Sequence, residues 1–401
     1  MNAKKNEAIA FLQSLLQIDS VNPPGNELYV VEKVVERANQ CGLDTEVMTL
    51  SENRANVIVT LKSQRKMSEK APSLIFSGHL DTVPVGNVPW KHNPFSGEIS
   101  DSKIFGIGSS DMKSGVAAMI EAMIMLKSKG VDFDGDLVFV GTAGEEVDCL
   151  GASAVIKENI LDNAGAIVIG EPSNGKIFTA HKGVLWLKFE TFGKTAHCSM
   201  PENGINALMH MNELINQIKE YQFNYKEHHL LGKPTLTIST IEGGVSTNVI
   251  PDKCIATADI RTIPGMNHEE IVKDIRTIIE RLESHITNFQ SRVTVLHDLN
   301  PIECTRGDAF VQLALEVNKE ISGVDCEEKG VNYYTDGSIF SLATNIPIII
   351  YGPGDENLAH QPDEHVSINK YMEAINYYAK LAERYFQSTK EVTAEKSELN
   401  V

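Results

Sequence analysis

The sequence has few cationic residues, and this shortage bears first on its partners. Lys and Arg number 36 against 54 Asp and Glu, so the formal net charge is −18. A nucleic-acid binder needs a basic face for the phosphate backbone, and an anionic membrane surface attracts a face of the same kind. The composition therefore argues against nucleic acid and membrane as partners. An anionic substrate stays open, because it needs only one or two local cations.

Cysteines and long apolar runs are also scarce. The six cysteines, at positions 41, 149, 198, 254, 304 and 326, form no C-x-x-C pair, which is typical of reduced thiols in the cytoplasm. The N-terminus resembles an amphipathic helix rather than a secretion signal. Apolar stretches such as 116–126 and 346–351 are too short to cross a bilayer. We therefore expect a soluble cytoplasmic protein.

The 401 residues, 42% of them hydrophobic, provide core material for two or three domain-sized units. A helix is predicted at 112–127 from apolar residues spaced three and four apart. Short apolar runs separated by helical patterns predict buried parallel strands and an α/β fold with a mostly parallel sheet. The predicted strands of this sheet are 55–61, 73–77, 137–140, 166–169 and 346–351.

The middle of the chain follows a different order. Between 183 and 297 the pattern is strand, helix, strand, strand, helix, strand, which is the ferredoxin-like α+β arrangement. We therefore expect a discontinuous catalytic domain, residues 1–182 and 298–401, interrupted by a compact unit at 183–297.

Candidate metal ligands follow the predicted parallel strands or stand just before a helix. They are His79, Asp111, the pair Glu145 and Glu146, Glu171 and His360. Each alone has an ordinary explanation, such as a surface histidine, a helix N-cap or a solvated glutamate pair. Together they do not form a helix-face pattern, and the carboxyl ends of parallel strands meet at one edge of a sheet. We therefore expect these side chains to converge.

Two imidazoles with several carboxylates fit zinc, with cobalt or manganese also possible. Five ligands are too many for one catalytic zinc, but they suit two metals about 3.5–4 Å apart that share a carboxylate. Asp81, two residues after His79, is the nearest carboxylate to hold the second imidazole nitrogen of His79. Of Glu145 and Glu146, one can bind metal while the other transfers protons.

Five ordered motifs resemble those of the binuclear-zinc amidohydrolases and metallopeptidases. That family includes acetylornithine deacetylase, succinyl-diaminopimelate desuccinylase, aminoacylase and carboxypeptidase G. The motifs are SGHLDTVP at 77–84, GSSDMKSG at 108–115, GEE at 144–146, GEPS at 170–173, and GPG at 352–354 with AHQ at 359–361. Ser114 departs from the pattern, since glycine is common there. The resemblance runs to about residue 385.

The resemblance implies a zinc-exopeptidase-like catalytic domain with two Zn²⁺ per subunit. One metal would be held by His79, Asp111 and Glu171, and the other by Asp111, Glu146 and His360, with Asp111 bridging. Two further residues receive roles in catalysis. Asp81 would orient His79, and Glu145 would act as general base and then as general acid.

The unit at 183–297 resembles the family's lid and dimerisation domain, which implies a homodimer. His197 would reach the partner subunit's active site and polarise the scissile carbonyl. Asn248 and Arg261 would bind the substrate, with the guanidinium of Arg261 contacting the carboxylate of the substrate. Thr335, Asp336 and Gly337 would line the specificity pocket. The ordinary alternatives are a lone surface histidine for His197 and a structural ion pair for Arg261.

The resulting hypothesis is a metal-dependent hydrolase that cleaves the amide bond of N-acyl amino acids, most similar to succinyl-diaminopimelate desuccinylase or acetylornithine deacetylase. A dipeptidase or carboxypeptidase of the same family is the alternative, because the same metals cleave either bond. A non-catalytic metal-binding protein is a remote third possibility. It would be favoured by a missing base or ligand, and none is missing.

Overall fold

A computed structural model of the protein describes residues 2–65 and 71–398. The chain forms two compact units. Unit 1 comprises Met1–Thr179, Glu303–Gly330 and Thr335–Val401, and unit 2 comprises Ala180–Ile302 and Val331–Tyr334. The long segment of unit 2 is thus inserted between residues 179 and 303, where the sequence placed the insertion at 183–297.

The described residues form nine α-helices and sixteen strands. The helices are α1 (Asn2–Leu16), α2 (Glu27–Gln40), α3 (Lys113–Lys129), α4 (Leu150–Lys157), α5 (Ala207–Lys219), α6 (His268–His285), α7 (Ala309–Ser322), α8 (Gly337–Ala343) and α9 (Ile368–Glu398). The strands are β1 (Asp44–Ser51), β2 (Arg54–Leu61), β3 (Ser73–His79), β4 (Ile99–Ser100), β5 (Lys103–Phe105), β6 (Leu137–Thr142), β7 (Ala164–Ile169), β8 (Phe178–His181), β9 (Gly183–Phe192), β10 (Thr235–Gly243), β11 (Lys253–Thr262), β12 (Gln290–Leu299), β13 (Ile302–Glu303), β14 (Lys329–Val331), β15 (Ile348–Ile350) and β16 (His365–Ser367). Within the described ranges, no helix is both long enough and apolar enough to cross a membrane.

A large mixed sheet organises unit 1. Its main path has the order β1-β2-β6-β3-β7-β15-β8-β13. Strand β3 pairs in parallel with β6 and β7, and β15 pairs in parallel with β7, whereas β1 and β2 extend the sheet in antiparallel fashion. Every residue of β3 is buried, which explains its continuous apolar run. The predicted mostly parallel α/β sheet is confirmed.

Helix α3 is buried along most of its length between this sheet and helices α1 and α9. Of the predicted apolar positions, Val116, Met119, Ile120 and Met123 are fully buried, and Ile124 is partly buried. The first turn of α3 comes very close to the end of β7, because a Cβ added at Gly115 would lie 2.1 Å from the backbone oxygen of Gly170. Only glycine fits at Gly115 without moving the backbone of its neighbour.

Unit 2 has the element order β9-α5-β10-β11-α6-β12, and its antiparallel sheet has the order β10-β11-β9-β12. This confirms the predicted ferredoxin-like arrangement. One face of the sheet packs under α5 and α6 around residues such as Leu187, Phe189 and Ile275. Asparagine N-caps begin both helices, with Asn206 capping α5 and Asn267 capping α6.

Candidate active site

The carboxyl ends of four adjacent strands in unit 1 carry Glu145 and four of the five predicted ligands, whereas the fifth, Asp111, lies just before α3. His79 is the last residue of β3, Glu145 and Glu146 follow β6, Glu171 follows β7, and His360 lies in the segment after β15. The strand order β6-β3-β7-β15 brings these ends side by side. His79, Glu145 and Glu171 are buried, whereas the His360 side chain is 52% exposed.

The structure gathers all five predicted metal ligands into two groups that share one carboxylate. In the first group, His79 Nε2 lies 3.1 Å from Asp111 Oδ1 and 3.5 Å from Glu171 Oε1. In the second, His360 Nε2 lies 3.5 Å from Asp111 Oδ2 and 3.3 Å from Glu146 Oε2. Within each group the ligand atoms lie within 4.8 Å of one another. Asp111 therefore presents one oxygen to each group.

The donor set fits a pair of divalent cations. Glu146 Oε1 is buried and has no hydrogen-bond partner among the described residues. Burial raises the pKa of Glu171 well above its ordinary value, and the nearby charge of Asp111 raises it further. The hydrogen bond that His360 donates to the Glu146 carboxylate raises the pKa of His360 to about 9. A buried carboxylate cluster with an unpartnered oxygen is what bound cations would stabilise, and two imidazoles favour zinc among them.

The imidazole of His79 is oriented by the backbone of Asp81. Nδ1 lies 3.0 Å from the Asp81 backbone oxygen and 3.5 Å from its Oδ1. Because a carbonyl oxygen only accepts hydrogen bonds, Nδ1 carries the proton and donates. The lone pair of Nε2 then faces Asp111 and Glu171, as a metal ligand requires.

The carboxylate of Asp81 instead holds the loop that follows β6. Oδ1 accepts hydrogen bonds from the backbone N–H groups of Gly144 at 3.1 Å and Glu145 at 3.2 Å. Oδ2 accepts from the Glu146 N–H at 3.2 Å and from Asn22 Nδ2 at 2.8 Å. Asp81 thus fixes the backbone from which both glutamates project.

Glu145 is buried beside the ligands but belongs to neither ligand group within the described part of the chain. Burial raises its pKa well above the ordinary value, and the charges of Glu171 and Glu146 raise it further, while His79 acts in the opposite direction. A carboxyl whose pKa is moved toward neutrality can accept and return a proton.

In unit 2 the structure brings His197 and Asn248 together. His197 is exposed and forms a β-bridge with Val249, and the Asn248 backbone oxygen accepts from the Cys198 N–H at 3.1 Å. The Ser199 N–H donates to His197 Nδ1 at 3.1 Å. In the neutral ring, Nε2 therefore carries the proton and can donate it to an oxygen.

Arg261, on strand β11, forms an ion pair. Its Nε and Nη2 donate to Asp259 at 2.8 and 2.9 Å, and Trp186 Nε1 donates to the same carboxylate at 2.9 Å. The guanidinium also lies 6.0 Å from the centre of the Tyr334 ring. Residues two apart in a strand share a face, so this pair gives Arg261 a fixed orientation.

Thr335, Asp336 and Gly337 are buried in unit 1 at the start of α8. Thr335 Oγ1 accepts from the Gly337 N–H at 3.0 Å, and Thr142 Oγ1 donates to Asp336 Oδ2 at 2.6 Å. Burial raises the pKa of Asp336 to about 6. Their place in a specificity pocket stays a prediction.

Near the candidate ligands, the sequence interpretation missed the buried charged residues Lys113 and Glu364. Lys113 Nζ donates to the backbone oxygens of Leu15 at 3.1 Å and Ile18 at 2.9 Å, and burial lowers its pKa to about 8. Burial raises the pKa of Glu364, and the hydrogen bonds that it accepts from the backbone N–H groups of Asp111, Ser110 and Gly108 act in the opposite direction. The available signal was position, since Lys113 follows Asp111 by two residues and Glu364 follows His360 by four.

Comparison with known proteins gives a family and agrees with this fold. The sequence matches Peptidase family M20/M25/M40 over residues 75–384. A probable succinyl-diaminopimelate desuccinylase of Staphylococcus epidermidis is 28% identical, over 96% of this chain and 98% of the relative. Two solved structures also share the fold. A tripeptidase from Staphylococcus aureus has a TM-score of 0.76 and 23% identity, covering 96% of this chain and 99% of its own. A dinuclear metal-binding peptidase from Bacillus subtilis has a TM-score of 0.74 and 16% identity, covering 96% and 99%.

The family match, together with a mostly parallel α/β sheet that gathers candidate metal ligands at its carboxyl edge, identifies a metallohydrolase. The family match covers more than half of the sequence. The chain belongs to peptidase family M20/M25/M40.

Proposed function

We propose that the protein hydrolyses the amide bond of N-acyl amino acids, with succinyl-diaminopimelate or acetylornithine as the substrate type, and holds two Zn²⁺ per subunit, with Co²⁺ or Mn²⁺ as substitutes. The observation that carries this proposal is Asp111, whose two oxygens face two separate ligand groups. The buried Glu145 beside them provides the proton acceptor. The name of the Staphylococcus epidermidis relative supports the acyl-amino-acid substrate.

The two cations would supply Lewis acidity toward the acyl carbonyl and would favour ionisation of a nearby water. His79, Asp111 and Glu171 would hold one, and Asp111, Glu146 and His360 the other. Glu145 would take a proton from the attacking water as the C–O bond forms. It would then return that proton to the amine nitrogen as the C–N bond breaks.

In this proposal the other catalytic contributions would come from residues of unit 2. His197, with its proton on Nε2, would donate a hydrogen bond to the oxyanion, and Asn248 would assist. Arg261, oriented by Asp259, would bind the substrate carboxylate.

We propose that His197 serves the active site of a second subunit in a cytoplasmic homodimer formed through unit 2. The dimer is supported by the exposure of His197 and by the exposed side chain of Ile241 on edge strand β10, both of which are accessible to a second subunit. The cytoplasmic location is supported by the six cysteines, which are all free thiols.

A dipeptidase or carboxypeptidase is the second candidate, favoured by the peptidase names of the two structural neighbours. A panel of N-succinyl-diaminopimelate, N-acetylornithine and unblocked dipeptides on zinc-loaded protein separates the two. Turnover of an acylated substrate at least tenfold faster than of any dipeptide is expected, and the reverse ranking would identify a peptidase. Absence of all turnover would favour the non-catalytic alternative.

The role of Glu145 has its own experiment. Glu145→Gln should keep two zinc ions by elemental analysis and lose at least about 10²-fold in kcat, because a general base contributes about that much. Glu121→Gln, at another buried glutamate in unit 1, is the control and should keep kcat. A near wild-type rate in the Glu145 variant would refute the base assignment.

The cross-subunit role of His197 can be tested by mixing. Inactive Glu145→Gln and His197→Ala proteins, allowed to exchange subunits, should regain part of the activity, because one mixed site would carry both intact residues. No recovery despite demonstrated exchange would contradict the proposal.

A further inference from the structure

Glu364 is buried against the loop that carries Asp111. Only 2% of the residue is exposed. Oε1 accepts hydrogen bonds from the backbone N–H groups of Ser110 at 2.7 Å and Asp111 at 2.9 Å, and Oε2 accepts from the Gly108 N–H at 3.1 Å. The Glu364 backbone oxygen accepts a fourth hydrogen bond, from the Gly106 N–H at 3.0 Å. One residue thus binds four N–H groups of a six-residue segment.

The loop is shaped to surround an anion. Successive backbone N–H groups that point inward form a concave site for negative charge, and bonds from N–H to carboxylate are stronger than bonds between neutral groups. Gly108 has φ +81°, and a Cβ there would lie 2.9 Å from Thr82 Cγ2. Glycine therefore allows the turn that directs its N–H toward Glu364.

A second set of contacts joins the loop 106–111 to the segment 354–364. Ser110 Oγ donates to the Asp355 backbone oxygen at 3.0 Å and accepts from the Asp355 N–H at 2.7 Å. A Cβ at Gly354 would lie 2.1 Å from the Ser110 backbone oxygen. The segment 354–364, which contains His360, therefore packs directly on the loop that ends in Asp111.

We propose that Glu364 is a positioning residue that sets the backbone of Asp111, so that its two carboxylate oxygens face the two ligand groups before any cation binds. The inference rests on the proposed metal centre. Because Glu364 follows His360 by four residues, it fixes the bridging ligand relative to the exposed ligand of the second group. Such outer contacts hold first-sphere ligands in place.

The test is Glu364→Gln, studied by calorimetric titration of metal-free protein with Zn²⁺. The amide oxygen can still accept hydrogen bonds from N–H groups on one side of the loop, but the amide NH₂ would face an N–H donor on the other side. We expect cation affinity to fall about 10- to 100-fold and kcat to fall more than KM rises. The absorption spectrum of Co²⁺-loaded protein should also change, because the ligand geometry changes.

Glu121→Gln is the matched control. Glu121 is also a buried unit 1 glutamate, 7% exposed, and accepts from Arg37 at 2.8 and 3.1 Å. Its substitution should lower the melting temperature without changing Zn²⁺ affinity. Wild-type affinity and an unchanged Co²⁺ spectrum in the Glu364 variant would overturn the proposal.

A measurement on the wild-type chain covers the case in which the variant does not fold. In metal-free protein, the amide hydrogens of Ser110 and Asp111 should exchange as slowly as those of buried strand β3. Exchange at the rate of an open loop would refute the positioning role. If wild-type protein bound no cation, the proposed function would fail, while this exchange measurement would still decide the role of Glu364.

Discussion

The backbone N–H of Glu145 donates a hydrogen bond to the carboxylate of Asp81 across 3.2 Å. The aspartate two residues after His79 therefore acts on the proposed base as well as on the proposed ligand. Its backbone oxygen orients the imidazole, and its side chain holds the loop of Glu145 and Glu146. A single residue thus connects the first ligand group to the proposed base.

Replacing this carboxylate should disturb catalysis more than folding. In Asp81→Asn, one acceptor oxygen becomes an NH₂ group that faces backbone N–H donors, so the loop should shift and kcat should fall about 10- to 100-fold. The control is Asp308→Asn, which keeps the N-cap of α7. Steady-state kinetics on both zinc-loaded proteins provides the comparison. Equal kcat values for the two variants would contradict the role of Asp81.

The number of zinc ions bound by variants of the proposed ligands should show that Asp111 contacts both cations. Elemental analysis should find two zinc ions in wild-type protein, one in His360→Asn and fewer than one in Asp111→Asn. Zinc at 100 times its dissociation constant should stabilise wild-type protein by about 2.7 kcal/mol per site, which a melting curve with and without chelator will show. One retained zinc in the Asp111 variant would place Asp111 in a single group.

The contact between α3 and β7 should not accept one methyl group. Gly115→Ala would place a Cβ 2.1 Å from the Gly170 oxygen, so we expect a loss of about 1–3 kcal/mol despite the better helix propensity of alanine. Ser114→Ala is the matched control, since Ser114 Oγ is buried without a hydrogen-bond partner in the described structure, and it should be neutral or stabilising. Urea unfolding of both variants measures the free energy of unfolding. Equal values for Gly115→Ala and Ser114→Ala would show that the backbone around Gly170 moves at little cost.

His181 should make stability depend on pH in the acid range. Burial lowers its pKa to about 4, so between pH 6.5 and 4 the unfolded chain binds a proton that the folded chain does not. The free energy of unfolding that His181 contributes is therefore fully present above pH 6.5. It falls by about 3 kcal/mol in total as the pH decreases from 6.5 to about 4.

The comparison for this effect is His181→Asn, whose amide can keep the bond that Nδ1 makes to the Lys182 backbone oxygen at 2.9 Å. Urea midpoints between pH 7 and 4 should fall less steeply in this variant than in wild-type protein. The exposed His285, replaced by Asn, should leave the slope unchanged. Parallel slopes for wild-type and His181→Asn proteins would exclude His181 as the source.

Much of the fold was predictable because buried parallel strands and amphipathic helices leave strong periodic signals. The helix predicted at 112–127 was observed at Lys113–Lys129, and the strand predicted at 73–77 at Ser73–His79. The exposed edge strand Asp44–Ser51 was missed, since it has little apolar content and is fixed by its pairing with β2.

For the site, strand-end residues could be predicted because the sheet itself brings them together. The surroundings could not, because Glu364 and Asp81 act through backbone N–H groups, which every residue carries and which leave no trace in the sequence. The pairing of Arg261 with Asp259 was accessible in principle from their spacing of two in a strand. The burial of Asp336 was not, since it depends on how α8 is packed.

The order of the ligands along the chain has a consequence for biosynthesis. His79, Asp111 and Glu171 are all synthesised before the insertion begins, whereas His360 and Glu364 follow it. At about 5–20 residues per second, the ribosome needs about 10–40 s to proceed from Glu171 to His360. During that interval the nascent polypeptide contains every ligand proposed for the first cation and lacks His360, a ligand proposed for the second.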